Sequence, residues 1–213
     1  MILYGSSLSP FVRKTIAYLG EKGIEVEVKP IGIGSPDPDF AVCSPFRKMP
    51  AFRDGDFTIS DSTAIITYLE AKYPEPPLLP AEAKSRARTI WYEEFADTIL
   101  APCMGKMFFN RIVAPRFLGR DGDLAAADKA EKEELPPLID YLESVIPQSG
   151  FLVDDRLTLA DLAVASPFVN LEHLGVRANA ATHPQTAAFL SAMHGRPSFA
   201  NVIAKEKAFF ARS

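Results

Sequence analysis

The stretch Tyr73-Pro74-Glu75-Pro76-Pro77-Leu78-Leu79-Pro80 divides this chain, because four prolines in eight residues cannot continue a helix. Upstream, short strands and helices alternate. Ile2–Tyr4 is an apolar run stopped by Gly5-Ser6-Ser7, as expected of a short buried strand. Ser9-Pro10 then opens a helix, since Ser caps helices and Pro suits the first helical position. Val12, Ile16 and Leu19 share one face of it, and Gly23 supplies the stop. Ile24–Val28 alternates apolar and charged residues, which predicts a strand. Gly32–Pro38 is a loop by composition, with a short helical piece around Asp39–Ser44. Lys48–Phe52 and Phe57–Ile59 read as strands joined by a turn at Asp54-Gly55. A helix over Ser62–Lys72 follows, with Ala64, Ile65, Tyr68 and Leu69 on one face. The order is βαβ then ββα, a mixed α/β module of about 75 residues.

Downstream of the prolines the strand signals vanish. Helical patterns cover roughly Glu82–Phe109, Leu124–Val145, Leu159–Leu174, Pro184–His194 and Ser198–Phe210. Pro102, the pair Pro136-Pro137 and Pro167 fall inside these patterns and should kink or split their helices. The expected organisation is an α/β domain over residues 1–75, a linker over 76–83 and an all-α helical domain over 84–213.

Composition narrows the function classes. With 213 residues, 47% apolar and 23% charged, the chain can bury a real core, which excludes disorder as its main state. A net charge of −4 gives no electrostatic footprint for nucleic acid or an anionic membrane. Nowhere do 18 consecutive apolar residues occur. The start, MILYGSSLSPFVRK, lacks the charged and apolar regions of a signal peptide. Cys43 and Cys103 form neither a disulfide framework nor a metal knuckle. The expectation is a soluble protein of the reducing cytoplasm. His173, His183 and His194 have no useful metal spacing, so no metal is expected, and Gly32-Ile33-Gly34 lacks the rest of a dinucleotide pattern. No Cys lies near the first helix, so dithiol exchange is excluded there.

Four short motifs stand in order: Ser9-Pro10-Phe11-Val12-Arg13-Lys14, Ser44-Pro45-Phe46-Arg47-Lys48-Met49-Pro50, Asp61-Ser62, and Leu157-Thr158-Leu159-Ala160-Asp161. Together they resemble the cytosolic glutathione transferase family, of serine type and bacterial phi- or zeta-like, over essentially the whole chain. The resemblance implies a thioredoxin-like N-terminal domain, an all-helical C-terminal domain, glutathione as substrate with its thiol activated as thiolate for attack on an apolar electrophile or a peroxide, a homodimer and a role in detoxification. It also implies a catalytic Ser9, whose hydroxyl would donate to the glutathione thiolate at a helix start that favours negative charge. On the residues alone Ser9 reads first as a plain cap, and only the company of the other motifs reverses this; Ser6 and Ser7 compete with it.

By the same resemblance the Met49–Pro50 peptide is cis and Met49 offers its backbone to the cysteinyl part of glutathione. Lys48, where relatives often carry Gln, would pair with the glycyl carboxylate. Ser62 and the adjacent amides would bind the γ-glutamyl carboxylate, while Asp61, a shortened form of the usual Glu, meets its ammonium. Thr158–Asp161 reads as a capping box and Asp161 as structural. The second substrate should lie between the domains, with Phe11, Cys103, Met104, Met107 and Phe108 as candidate walls, although a core face has the same periodicity. Asp97 is a candidate contact with the partner subunit's glutathione. Two other readings stay open: a glutathione-binding scaffold with little catalysis, and a specialised zeta-like isomerase or dehalogenase.

Overall fold

A computed structural model describes Met1–Arg212 and divides the chain into two compact units. The first holds Met1–Leu79 together with the residues from Arg196 onward, and the second holds Pro80–Gly195. The last helix packs with the α/β module in the first unit. Its periodicity identifies it as a helix but carries no information about which surface it covers.

The first unit is the expected thioredoxin-like α/β arrangement, in the order β1 (Ile2–Tyr4), α1 (Pro10–Lys22), β2 (Glu27–Lys29), α2 (Pro38–Cys43), β3 (Ala51–Asp54), β4 (Phe57–Ser60) and α3 (Ser62–Lys72). The sheet runs β2-β1-β3-β4, with β1 parallel to β2 and antiparallel to β3. β2 is shorter than the alternation of Ile24–Val28 suggests, because β1 offers only Ile2, Leu3 and Tyr4 as partners for Glu27, Val28 and Lys29. The hairpin turn is Gly55-Asp56, one residue later than expected, since Asp54 still pairs with Phe57 and Gly55 supplies the positive φ of 62°. One cluster of apolar side chains joins Tyr4, Ile31, Phe40, Cys43 and Ala51, with Met49 packed against it.

A buried carboxylate ties the linker to this unit. Glu70 of α3 receives the Tyr18 hydroxyl and, at 2.8 Å, the Lys22 ammonium from α1. Its other oxygen accepts the N–H groups of Leu78 and Leu79 at 3.1 Å each, and Lys22 also donates to the Pro76 carbonyl at 2.7 Å. The first unit thus runs through Leu79, because Pro76, Leu78 and Leu79 of the proline-rich stretch are anchored to it.

In the second unit a continuous helical run contains α4 (Ala83–Phe95), α5 (Ala101–Phe108) and α6 (Ala114–Phe117). It is followed by α7 (Leu124–Lys129), α8 (Leu135–Val145), α9 (Leu159–His173) and α10 (Pro184–His194); α11 (Pro197–Arg212) returns to the first unit. The prolines widen helices where a kink or split was expected. Ala96–Leu100, Phe109–Val113 and Ala130–Glu134 are π-helical, and each runs directly into a turn bearing Pro102, Pro115 or Pro136-Pro137. A proline has no N–H and its ring crowds the carbonyl four residues back. Those carbonyls, on Thr98, Arg111, Lys132 and Glu133, all lie within the wide turns, where the chain pairs one residue further along. Pro167 sits inside regular α9. None of the described helices is long and apolar enough to cross a membrane.

Helix α9 is the axis of the helical unit, buried along nearly its whole length and packed by α4, α5 and α10. Its start is fixed by Asp161, whose carboxylate accepts the Leu152 N–H, the Thr158 N–H and the Thr158 hydroxyl at 2.8, 2.8 and 3.2 Å. Burial raises its pKa to about 6 against the pull of these hydrogen bonds. Asp161→Ala strands two buried N–H groups, and urea unfolding should show a loss of about 2–4 kcal/mol. The unfolded carboxyl ionises near pH 4 and the folded one near 6, so the folded chain binds more protons between them. The wild type alone therefore loses stability as pH rises through that window, and its advantage over Asp161→Ala should be larger at pH 4 than at pH 7.

Candidate active site

A cavity of about 350 Å³ in the first unit is lined by Phe11, Ser44, Phe46, Lys48, Met49, Pro50, Ser60, Asp61 and Ser62. It brings together Phe11 and all five residues expected to hold glutathione, from three separate segments. Ser44, Phe46 and Ser60 are additions that sequence reasoning passed over.

The lower wall is the approach to β3. The Met49–Pro50 peptide is cis, as the resemblance implies. Met49 lies just before the ladder begins at Ala51, and neither its N–H nor its C=O finds a partner among the described residues. A backbone donor and acceptor are thus presented side by side at the cavity, ready to pair with a strand-like segment of a ligand. Ser44 shapes this wall. It is fully buried, its hydroxyl donates to the Lys48 carbonyl at 2.7 Å, and it accepts the Lys48 N–H at 2.9 Å. The Arg47 N–H returns to the Ser44 carbonyl at 2.9 Å, with Arg47 at φ 54°. Because Ser44 closes both backbone groups of Lys48, the exposed Lys48 side chain projects from a fixed base.

The opposite wall is the start of α3. Asp61 caps the helix through one oxygen, Oδ1, which accepts the N–H groups of Thr63 and Ala64 at 2.9 and 3.1 Å. Among the described residues Oδ2 makes no hydrogen bond, so the carboxylate caps the helix and still presents an acceptor. Asp61 holds φ 87°, a conformation that costs a non-glycine residue roughly 1–3 kcal/mol. Its N–H is pinned to the Pro50 carbonyl at 3.2 Å, which joins this wall to the lower one. The buried Ser62, the first residue of α3, follows, at a helix end that favours an anion.

The third wall belongs to α1. Ser9 is its N-cap residue by backbone conformation, with the Arg13 N–H on its carbonyl, yet its hydroxyl makes no capping hydrogen bond. The plain-cap reading of the side chain therefore fails in this structure. Ser9 does not itself line the cavity; Phe11, in the first turn of the same helix, does. Gly5 allows this approach, because a Cβ there would stand 2.5 Å from a Val12 methyl and 3.5 Å from the Met49 Cβ. Ser6 and Ser7 are both half-buried, and the Ser6 hydroxyl accepts the Leu8 N–H at 3.4 Å.

The candidate walls on α5 are core residues. Cys103, Met104, Met107 and Phe108 are each at most 5% exposed, and α5 packs on α7 and α9. The Cys103 thiol points to the Ala130 carbonyl at 3.9 Å, and burial pushes its pKa up to about 11, so it is inert at neutral pH. Of the two readings of this apolar face, a cleft wall or a core face, the burial of these side chains suits the core face. Asp97 is half-buried in the first π-helical turn.

The comparisons with known proteins agree with this geometry. The family model "Glutathione S-transferase, N-terminal domain" matches residues 3–77, and "Glutathione S-transferase, C-terminal domain" matches residues 110–206. Glutathione S-transferase 3 of Zea mays is 31% identical, over 95% of this chain and 92% of its own length. A glutathione S-transferase of Hyoscyamus muticus is 30% identical, over 95% and 97%. The solved structure of glutathione S-transferase I from mais in complex with an atrazine glutathione conjugate has a TM-score of 0.81 at 27% identity, covering 95% of this chain and 96% of that one. The chain belongs to the glutathione S-transferase family.

Ser44→Ala frees the Lys48 N–H and C=O and so loosens the segment that carries Met49. Calorimetric titration should show glutathione binding weakened by about tenfold, the equivalent of one or two hydrogen bonds. Binding at the wild-type level would mean that the loop holds its shape without the hydroxyl.

Proposed function

We propose that this chain is a serine-type glutathione transferase that binds glutathione in the cavity of the first unit and ionises its thiol beside Ser9. The observation that carries this reading is one cavity bounded by the unpaired backbone of Met49, by the start of α3 with Asp61 Oδ2 and Ser62, and by Phe11 from the first turn of the helix that Ser9 caps, where the Ser9 hydroxyl makes no capping hydrogen bond. The γ-glutamyl carboxylate would lie at the α3 N-terminus and its ammonium on Asp61. Met49 would pair with the cysteinyl backbone, and Lys48 would meet the glycyl carboxylate. The amide groups at the start of α1 and the Ser9 hydroxyl stabilise the thiolate more than the thiol, which lowers its pKa. The thiolate then attacks an electrophilic carbon; the carbon–sulfur bond forms as the bond to the leaving group breaks, and the proton has already gone to solvent. Phe11 is the apolar wall offered to the electrophile. Two free, buried cysteines suit a reducing cytoplasm.

Thiolate absorbance titration of the glutathione complex should show a transition below that of free glutathione, and Ser9→Ala should shrink the displacement while leaving affinity within several-fold. The lost hydrogen bond to an anion is worth about 1.5–3 kcal/mol. The conjugation rate at saturating glutathione should follow the same ionisation. Tight binding with an unshifted thiol and no turnover across a panel of electrophiles would instead identify a binding module.

A homodimer is the second part of the proposal, with Asp97 reaching the glutathione of the other subunit. Its support is the apolar surface left bare in a single chain: Phe46 is 86% exposed beside the cavity and Trp91 50% exposed on α4. Light scattering at micromolar concentration should report two chains per particle, and Phe46→Ala should shift the population towards one. A stable wild-type monomer would remove both the dimer and the role of Asp97.

A further inference from the structure

The start of α1 is held from a distance. Arg13, one turn after Ser9, is fully buried, and its guanidinium makes two parallel hydrogen bonds to Glu206 of α11 at 3.1 and 3.0 Å. Glu206 is 193 residues away in sequence and also buried. The backbone N–H of the same Arg13 donates to the Ser9 carbonyl at 2.9 Å. At the other end of α1, Glu21 accepts two bonds from Arg196 at 2.7 and 2.8 Å and one from the Ser198 hydroxyl at 2.5 Å. Between them Gly20 lets the helices close, since a Cβ there would come within 3.1 Å of the Ser198 Cβ. Helix α11 therefore grips α1 at both ends, within a single compact unit.

A buried guanidinium without its carboxylate is strongly unfavourable, and a bidentate pair fixes direction as well as distance. We infer that α11 sets the placement of Ser9, with Arg13 and Glu206 as positioning residues that aim the first turn of α1 at the thiol carried by the Met49 strand. The inference rests on the Ser9 reading above and adds a C-terminal element to it. The pair carries no net charge, so its contribution is chiefly geometric. Substitutions that keep both charges but spoil the fork are therefore the right probes.

Arg13→Lys and Glu206→Asp, each in the full chain, should raise the pKa of bound glutathione's thiol by about half a unit or more towards the free value. Conjugation below that pKa should fall about threefold in step, and neither substitution should shift the thiol further when added to Ser9→Ala. A lowered melting temperature with an unmoved thiol pKa would make the pair merely structural and overturn the inference. An equal shift in the Ser9→Ala background would also overturn it, since the route would not run through Ser9. If Ser9→Ala alone leaves the thiol at its wild-type pKa, the Ser9 reading has failed and this inference falls with it, a pattern distinct from the other two. Should the buried variants not fold, Arg196→Gln at the partly exposed end of the same contact serves instead. It should raise the thiol pKa by a smaller amount, and an unmoved pKa with intact glutathione binding would overturn the inference.

Discussion

Burying charged side chains on helix α1 is the constraint from which much of the first unit follows. Arg13 and Lys22 lie 0% and 8% exposed, and an isolated buried cation is too costly to persist. Each must be met by a carboxylate. Glu206 meets the first and draws the C-terminal helix onto α1; Glu70 meets the second and draws α3 and the linker. These pairs contribute little net attraction beyond their desolvation cost, but they specify which surfaces meet. Hydrophobic packing of α1 on α3 and α11 would permit several offsets; a bidentate pair buried at one end permits one.

That specification matters because the candidate site is made of ends. It uses the start of α1, the start of α3 and the residue just before β3, each a place where backbone groups lack partners within their own element. Such groups can serve a ligand only if the elements bearing them are held at fixed separations. The hydrogen bond from Asp61 to Pro50 sets one separation, the clasp of Ser44 on Lys48 sets the shape of one wall, and the absence of a side chain at Gly5 lets Val12 of α1 pack against the chain there. Asp61 pays for its place with an unfavourable φ, offset by the two amides that it caps.

The helical unit is built on a different economy. Its central helix α9 is buried on nearly all sides, so its sequence lacks a polar face and its register depends on Asp161 at its start. Around it, prolines that would break an isolated helix are absorbed by π-helical turns. The tertiary packing of the run holds it together while individual turns widen, at the local cost of poorer hydrogen-bond geometry.

Much was legible without a structure. Ser9-Pro10 and Gly23 bounded α1, Ser62 and Lys72 bounded α3, and the four prolines of Tyr73–Pro80 separated strands from helices, because caps and breakers act through local backbone chemistry. Met49, Pro50, Asp61 and Ser62, proposed above to hold glutathione, were legible through the family resemblance of the short motifs that carry them, each at an element's edge. The rest depended on contacts between residues far apart in sequence. Whether Met104 and Met107 faced a core or a cleft, whether Ser44 pointed at its own loop or at solvent, and where the last helix docked are all questions of which surface meets which. Helical period states that a face is apolar and is silent about what covers it. Local chemistry thus determined the elements and their ends, while the partnering of buried charges 48 and 193 residues apart, Lys22 with Glu70 and Arg13 with Glu206, was decided only by the folded chain.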